Sequence, residues 1–230
     1  MTKAGAAEIL QHHPNVPIIV GNTLGTAVPE TILAKTEVDI CSIGESDITA
    51  VEVLRALNDG TPLDEVQGIV FKRNGEIIRT EARPIIPDIS EIPFPNYDMF
   101  EREIYLEKSK WLVPASETLD IPFDELIAMP VNTARGCAFA CNFCFHAFQN
   151  LKYRHRSPEN IADEVELWKT KYGANFIAFW DELSFYHAKA TERLDDLLLE
   201  RDRNIPLFGS CRSWMLSWSN FHIAESRKKA

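Results

Sequence analysis

Three of the chain's five cysteines fall within eight residues, as Cys137-x3-Cys141-x2-Cys144, and no other feature restricts the fold as much. The other two, Cys41 and Cys211, lie far away, and the total is odd. This is no disulfide framework. In a reducing compartment such a cluster binds a metal or does redox chemistry. Met129-Pro130-Val131-Asn132-Thr133-Ala134 reads as a strand feeding the loop. Ser157-Pro158-Glu159 reads as a helix start, with an N-cap hydroxyl, proline at the first position and an acid in the first turn.

The alternation continues beyond the cluster. Ile161, Val165, Trp168 and Tyr172 line one helical face that Gly173 stops, and Asn175–Trp180 is a buried strand. A helix over 188–201, with Leu194, Leu197 and Leu198 inward, and a strand over 205–209 follow. The N-terminal end behaves similarly. A helix near Ala6–His13 precedes a strand over 17–21, a short helix over 28–33 and a strand over 38–44. Asp47 is placed to cap a helix that carries Val51, Val53, Leu54 and Leu57 and ends near Gly60. Strands alternating with helices imply a parallel sheet, whose sites lie just after the strands. Between these regions GIVFKR-NG-EIIRTE is a hairpin about Asn74-Gly75. The prolines at 84, 87, 93, 95, 114 and 122 then exclude long helices and central strands, which leaves a linker packed over a surface.

A 4Fe–4S cube normally takes four thiolates, so three on one loop leave one iron open to a small ligand with an amine and a carboxylate. The methionine part of S-adenosylmethionine (SAM) has both. The sequence CAFACNFC, with aromatic Phe143 before the last cysteine, resembles the radical SAM signature. The resemblance implies that Cys137, Cys141 and Cys144 ligate the cluster, that Phe143 lies against the adenine, and that SAM is cleaved reductively to a 5′-deoxyadenosyl radical. It also implies an acid on the SAM ammonium after the next strand, for which Glu182 is the first choice and Asp181 the second. A flavodoxin or ferredoxin would be the electron donor. Arg212, after the third strand, is equally a ligand of the SAM carboxylate or an exposed structural residue. Arg154 and Arg156 read as a solvated face rather than a substrate clamp, and His12, His13 and His146 have no partner spacing. A zinc site using His146 as fourth ligand is the competing assignment, although zinc sites usually pair two C-x2-C knuckles.

Residues 17–47 resemble the last two strand-helix units of the cobalamin-binding domain that precedes many radical SAM cores. Gly21-Asn22 and Gly44-Glu45 stand where that family has its Gly pair and its Gly-Glu. The D-x-H-x-x-G motif of the cobalt-ligating histidine does not occur in these 230 residues. The expected organisation is α/β. Residues 1–60 form the back part of a Rossmann-like cobalamin-binding domain, and 61–128 the hairpin and Pro-rich linker. Residues 129–213 form about three strand-helix units of a partial (β/α) barrel, and 214–230 an atypical tail, so that the chain reads as truncated at both ends.

The expected function is radical SAM chemistry, methyl transfer or rearrangement, on an unidentified small substrate. The other class is a non-catalytic module in which zinc or a cluster staples the fold. With 45% hydrophobic and 25% charged residues the composition is that of globular material. A net charge of −10 argues against non-specific nucleic-acid binding and counts against a tRNA-modifying enzyme, with Lys152–Arg156 the one short basic stretch. No apolar run approaches the ~20 residues that cross a bilayer, and MTKAGAAEILQHH lacks a signal core, so the expected location is cytoplasmic.

Overall fold

The computed structural model describes residues 2–114, 119–145, 151–185, 187–201 and 205–210. The chain divides into two compact units. One comprises residues 1–86 and 139–151, the other 87–138 and the described residues from 152 onward. Among the described residues no helix is long and apolar enough to cross a membrane.

In the first unit α1 (Thr2–His12), β1 (Ile19–Val20), α2 (Asn22–Ala27), α3 (Pro29–Lys35), β2 (Ile40–Ser42) and α4 (Asp47–Asp59) precede the hairpin β3 (Ile69–Arg73) and β4 (Glu76–Arg79). β1 and β2 are parallel, with Ile19 opposite Ile40. The hairpin turns on Asn74 and Gly75 at φ +53° and +83°, as a type I′ turn requires. It does not belong to a linker, because β3 pairs antiparallel with β2 and gives the sheet order β1-β2-β3-β4. The reason is burial on both faces. Ile69 and Phe71 pack with Ile40, Val53 and Ala56, while Val70 packs with Cys41, Ile32, Leu33 and Val38.

Three local details differ from expectation. Ser46, not Asp47, is the N-cap of α4, and its Oγ lies 2.7 Å from Ser42 Oγ rather than on a helix amide. The unanticipated helix α2 lies so close to the strand ends that a Cβ on Gly25 would sit 2.7 Å from Val20 O and 3.1 Å from Ser42 O. Only glycine fits there. On α4 it is Thr49, Val53 and Ala56 that are buried, while Val51, Leu54 and Leu57 are exposed.

The second unit contains α5 (Arg102–Ser109), β5 (Ala128–Val131), β6 (Ala134–Arg135), β7 (Arg154–His155), α6 (Pro158–Tyr172), β8 (Phe176–Phe179), α7 (Ala188–Glu200) and β9 (Leu207–Phe208). Its main sheet is parallel in the order β5-β8-β9, with Met129 opposite Ile177 and Ile177 opposite Leu207. Pro130 is tolerated because β5 is an edge strand among the described residues. All four residues of β8 are buried. Ile177 and Phe179 meet Ile161, Val165 and Trp168 of α6 and Leu194, Leu197 and Leu198 of α7. Phe176 and Ala178 face the other way, towards Leu112, Val113, Leu119 and Ile121, so the Pro-rich segment supplies a layer of this core. That segment is 3-10 turns and one short helix, within what its prolines allow. α6 starts and stops on local chemistry. Ser157 Oγ accepts from Asn160 N at 3.2 Å, and Gly173 takes φ +71° at the C-terminal end.

Candidate functional site

The cysteine loop follows β5 and is closed at its base by a short ladder that its sequence does not announce. β6 on the outgoing limb pairs antiparallel with β7 on the returning limb, Ala134 opposite His155 and Arg135 opposite Arg154. Gly136, at φ +81°, then turns the chain out of the ladder immediately before Cys137. Cys137 and Cys141 are partly exposed and Cys144 is exposed. Cys144 N donates to Cys141 O at 3.1 Å, a tight turn. Phe143 is 88% exposed, so its ring faces are accessible.

Among the described residues no three His, Cys, Asp or Glu side chains are gathered into a group that could hold a metal ion. The donor set still fits a thiophilic centre, because these are three solvent-accessible thiols on one loop. Cys41 is the contrast. It is 0% exposed, its thiol faces Pro29 O at 3.8 Å, and burial pushes its pKa up to about 11. Such a thiol is a core residue and a poor ligand.

The acidic pair after β8 separates by burial. Glu182 is exposed. Asp181 is buried and both its oxygens are occupied. Oδ2 accepts from Thr133 N at 2.7 Å and Thr133 Oγ1 at 2.6 Å, and Oδ1 accepts from Ala134 N at 3.1 Å and Asn132 Nδ2 at 3.2 Å. These four bonds tie Asp181 to the strand end that enters the cysteine loop.

The arginines change as well. Arg154 is buried in β7 and Arg156 is mostly covered, so neither forms a solvated face. Arg156 donates to Asn132 O and to Asn160 Oδ1, each at 2.7 Å, and to Glu164 Oε2 at 2.5 Å, and it lies over the Phe94 ring at 5.4 Å. Burial pushes the Glu164 carboxyl above its ordinary range, against the pull of the Arg156 guanidinium. His12 and His13 are exposed, with His12 3.5 Å from Glu8. His146, Cys211, Arg212 and the tail 214–230 lie outside the described residues.

Sequence reasoning missed a histidine pair beside this bracket. His155 Nδ1 lies 2.6 Å from Arg156 O, and its ring meets that of His187 edge-on at 6.1 Å. Tyr153 OH donates to Leu183 O at 2.8 Å close by. Burial holds the His155 imidazole below its ordinary 6.5, so the fold favours the neutral ring. A depressed histidine contributes stability that is full above about pH 6.5 and is lost as the pH falls through the lower folded value. Glu164, raised by burial, has the opposite sign and loses its contribution as the pH rises through its folded value. Urea unfolding between pH 7 and 5 should therefore show a larger fall in stability for the parent than for His155→Gln. Parallel profiles would remove His155 from the balance.

In the first unit a cavity of about 200 Å³ opens after β2, lined by Thr26, Ile43, Gly44, Gly68 and Arg83. Gly44 N donates to Thr26 Oγ1 at 3.0 Å, and Arg83 Nε donates to Thr49 Oγ1 at 2.8 Å.

Residues 131–226 match the family model of the radical SAM superfamily. The chain is 29% identical over 170 residues to an uncharacterized methyltransferase, PH0819, of Pyrococcus horikoshii, covering 73% of this chain and 34% of that protein. It is 26% identical over 198 residues to the anaerobic magnesium-protoporphyrin IX monomethyl ester cyclase of Rubrivivax gelatinosus, covering 84% and 33%. The chain thus spans about a third of the length of these curated relatives. Among solved structures, the cobalamin-dependent SAM radical enzyme OxsB, with aqua-cobalamin and SAM bound, superposes with a TM-score of 0.65 at 22% identity over 90% of this chain and 28% of that one. The radical SAM methyltransferase TsrM from Kitasatospora setae, with cobalamin and a [4Fe-4S] cluster, gives 0.51 at 16% identity over 82% and 34%. These last two are likenesses of fold. The match over residues 131–226 makes that segment similar to the radical SAM superfamily, and it contains the strand end, cysteine loop and helix in that order.

Proposed function

We propose that this chain is the part of a radical SAM enzyme that binds a 4Fe–4S cluster through Cys137, Cys141 and Cys144 and SAM beside it, for methyl transfer or rearrangement on a small substrate. The observation that carries the reading is the accessible three-thiol loop between β5 and α6, inside the segment that matches the family model. The cluster, when bound, supplies the electron that cleaves SAM to a 5′-deoxyadenosyl radical. The residues of the chain bind and orient. The three thiolates hold three irons and leave the fourth for the amine and carboxylate of SAM. Phe143, with its ring accessible, stacks on the adenine. Glu182, exposed at the end of β8, accepts from the ammonium of SAM.

The finer architecture belongs to the same proposal. Residues 129–213 are the first strand-helix units of a partial barrel, and the first unit is the back part of a Rossmann-like cobalamin-binding domain. The cavity after β2 lies where parallel α/β sheets place ligands, and cobalamin is the ligand held by the OxsB and TsrM structures. A flavodoxin or ferredoxin would deliver the electron in the cytoplasm.

Anaerobic reconstitution with iron and sulfide, followed by metal analysis and a SAM cleavage assay, tests the reading. About four irons per chain with acid-labile sulfide, and formation of 5′-deoxyadenosine, are expected. One zinc per chain and no cleavage would instead favour a structural staple.

A further inference from the structure

Residues 132–134 are the last before the cysteine loop turns away, and they are gripped from two sides. On one side the Asp181 carboxylate takes the amides of Thr133 and Ala134, the Thr133 hydroxyl and the Asn132 amide group. On the other, Arg156 donates its backbone N–H to Thr133 O at 2.8 Å and its Nη1 to Asn132 O. Arg156 is itself held by Asn160 and Glu164 of α6. One side chain therefore joins this strand end to the turn after β8, and the other joins it to α6.

We propose that Asp181 and Arg156 are positioning residues that fix the root of the cluster loop relative to the turn carrying Glu182, and that Asp181 itself does not touch SAM. The proposal rests on the reading that the three cysteines ligate a cluster. Its physical basis is directional. A carboxylate can accept from four donors at once, whereas an amide must aim its own N–H2 at one pair of them. Charge-assisted hydrogen bonds to backbone N–H groups in a water-poor site are also about twice as strong as neutral ones. Asp181→Asn is nearly isosteric, so it removes the grip without opening a cavity. Thr133→Val removes only the hydroxyl donor, and Thr133→Ser restores it.

The first measurement uses the metal-free full chain. Amide exchange at Thr133 and Ala134 should rise roughly tenfold in Asp181→Asn. It should rise less in Thr133→Val, and match the parent in Thr133→Ser and Glu182→Gln. The second uses the reconstituted chain. The EPR signal of the reduced cluster should change in Asp181→Asn before SAM is added, and in Glu182→Gln only after it. Parent-like exchange in Asp181→Asn, or an EPR change in that variant confined to the SAM-bound state, would overturn the proposal, the latter by making Asp181 a SAM ligand. Should Asp181→Asn fail to fold, Thr133→Val decides by the same two readouts. A parent chain that takes up no iron overturns the cluster reading and this proposal together. A parent that loads iron normally while the variants behave like it overturns the proposal alone.

Discussion

Serine in place of Cys137, Cys141 or Cys144 will reduce the iron retained after anaerobic reconstitution from about four per chain to near none, and SAM cleavage to background. Losing one of three protein thiolates leaves two irons of the cube without protein ligands. Outer-shell partners alone are commonly worth about 10–100-fold in metal affinity, so loss of a ligand itself should exceed a hundredfold or so. Cys41→Ser is the internal control. Its thiol is buried among Ile32, Leu33 and Val70, and serine there exchanges a weakly polar group for a hydroxyl in an apolar core. A loss of stability of about 1–3 kcal/mol with undiminished iron is expected. Iron analysis on the four variants separates the cases, and retention of a full cluster by Cys144→Ser would remove that residue from the ligand set.

What the sequence makes legible here is local chemistry. Asn74-Gly75 announces its turn, Ser157-Pro158 and Gly173 mark the ends of α6, and the apolar run over 175–180 becomes the fully buried β8. The cysteine triplet needs no tertiary information either. What escapes is what depends on distant pairs. The hairpin's antiparallel seat on β2 is decided by two-sided burial of Ile69, Val70 and Phe71, and no turn signal encodes that. The β6–β7 stem is two residues long on each limb, too short to show a period. The role of Asp181 depends on contacts 47 to 49 residues away in sequence. Before the fold is known, an acid after a strand reads as a ligand or as a solvent-facing group, and nothing local marks it as a partner of a distant strand end. Arg156 illustrates the same ambiguity. Within Lys152–Arg156 it looks like part of a basic patch, and only the position of Glu164 on α6 turns it inward.

Trp168→Ala will cost the second unit about 3–5 kcal/mol, the usual penalty for deleting a fully buried tryptophan. Trp168 is 0% exposed on the inner face of α6. Its ring meets Tyr97 edge-on at 5.3 Å and Tyr172 at 5.4 Å, so the substitution removes aromatic contacts as well as buried area. Tyr97 belongs to the Pro-rich segment, and Trp168 is therefore where that segment, α6 and the sheet meet. Against a typical total of 5–15 kcal/mol, a loss of this size removes a large part of the margin. It corresponds to a fall of roughly 6–20 °C in the thermal midpoint for a chain of this length. Trp180→Ala is the matched control. That ring is 58% exposed, and a change within about 0.5 kcal/mol is expected. Urea or thermal unfolding followed by circular dichroism measures both, and a cost below about 1 kcal/mol for Trp168→Ala would contradict the packing described. The consequence reaches the site through α6. The same helix carries Asn160 and Glu164, which hold Arg156 on the root of the cysteine loop. Loosening it should raise amide exchange at Thr133 and Ala134 even under conditions where the variant remains folded.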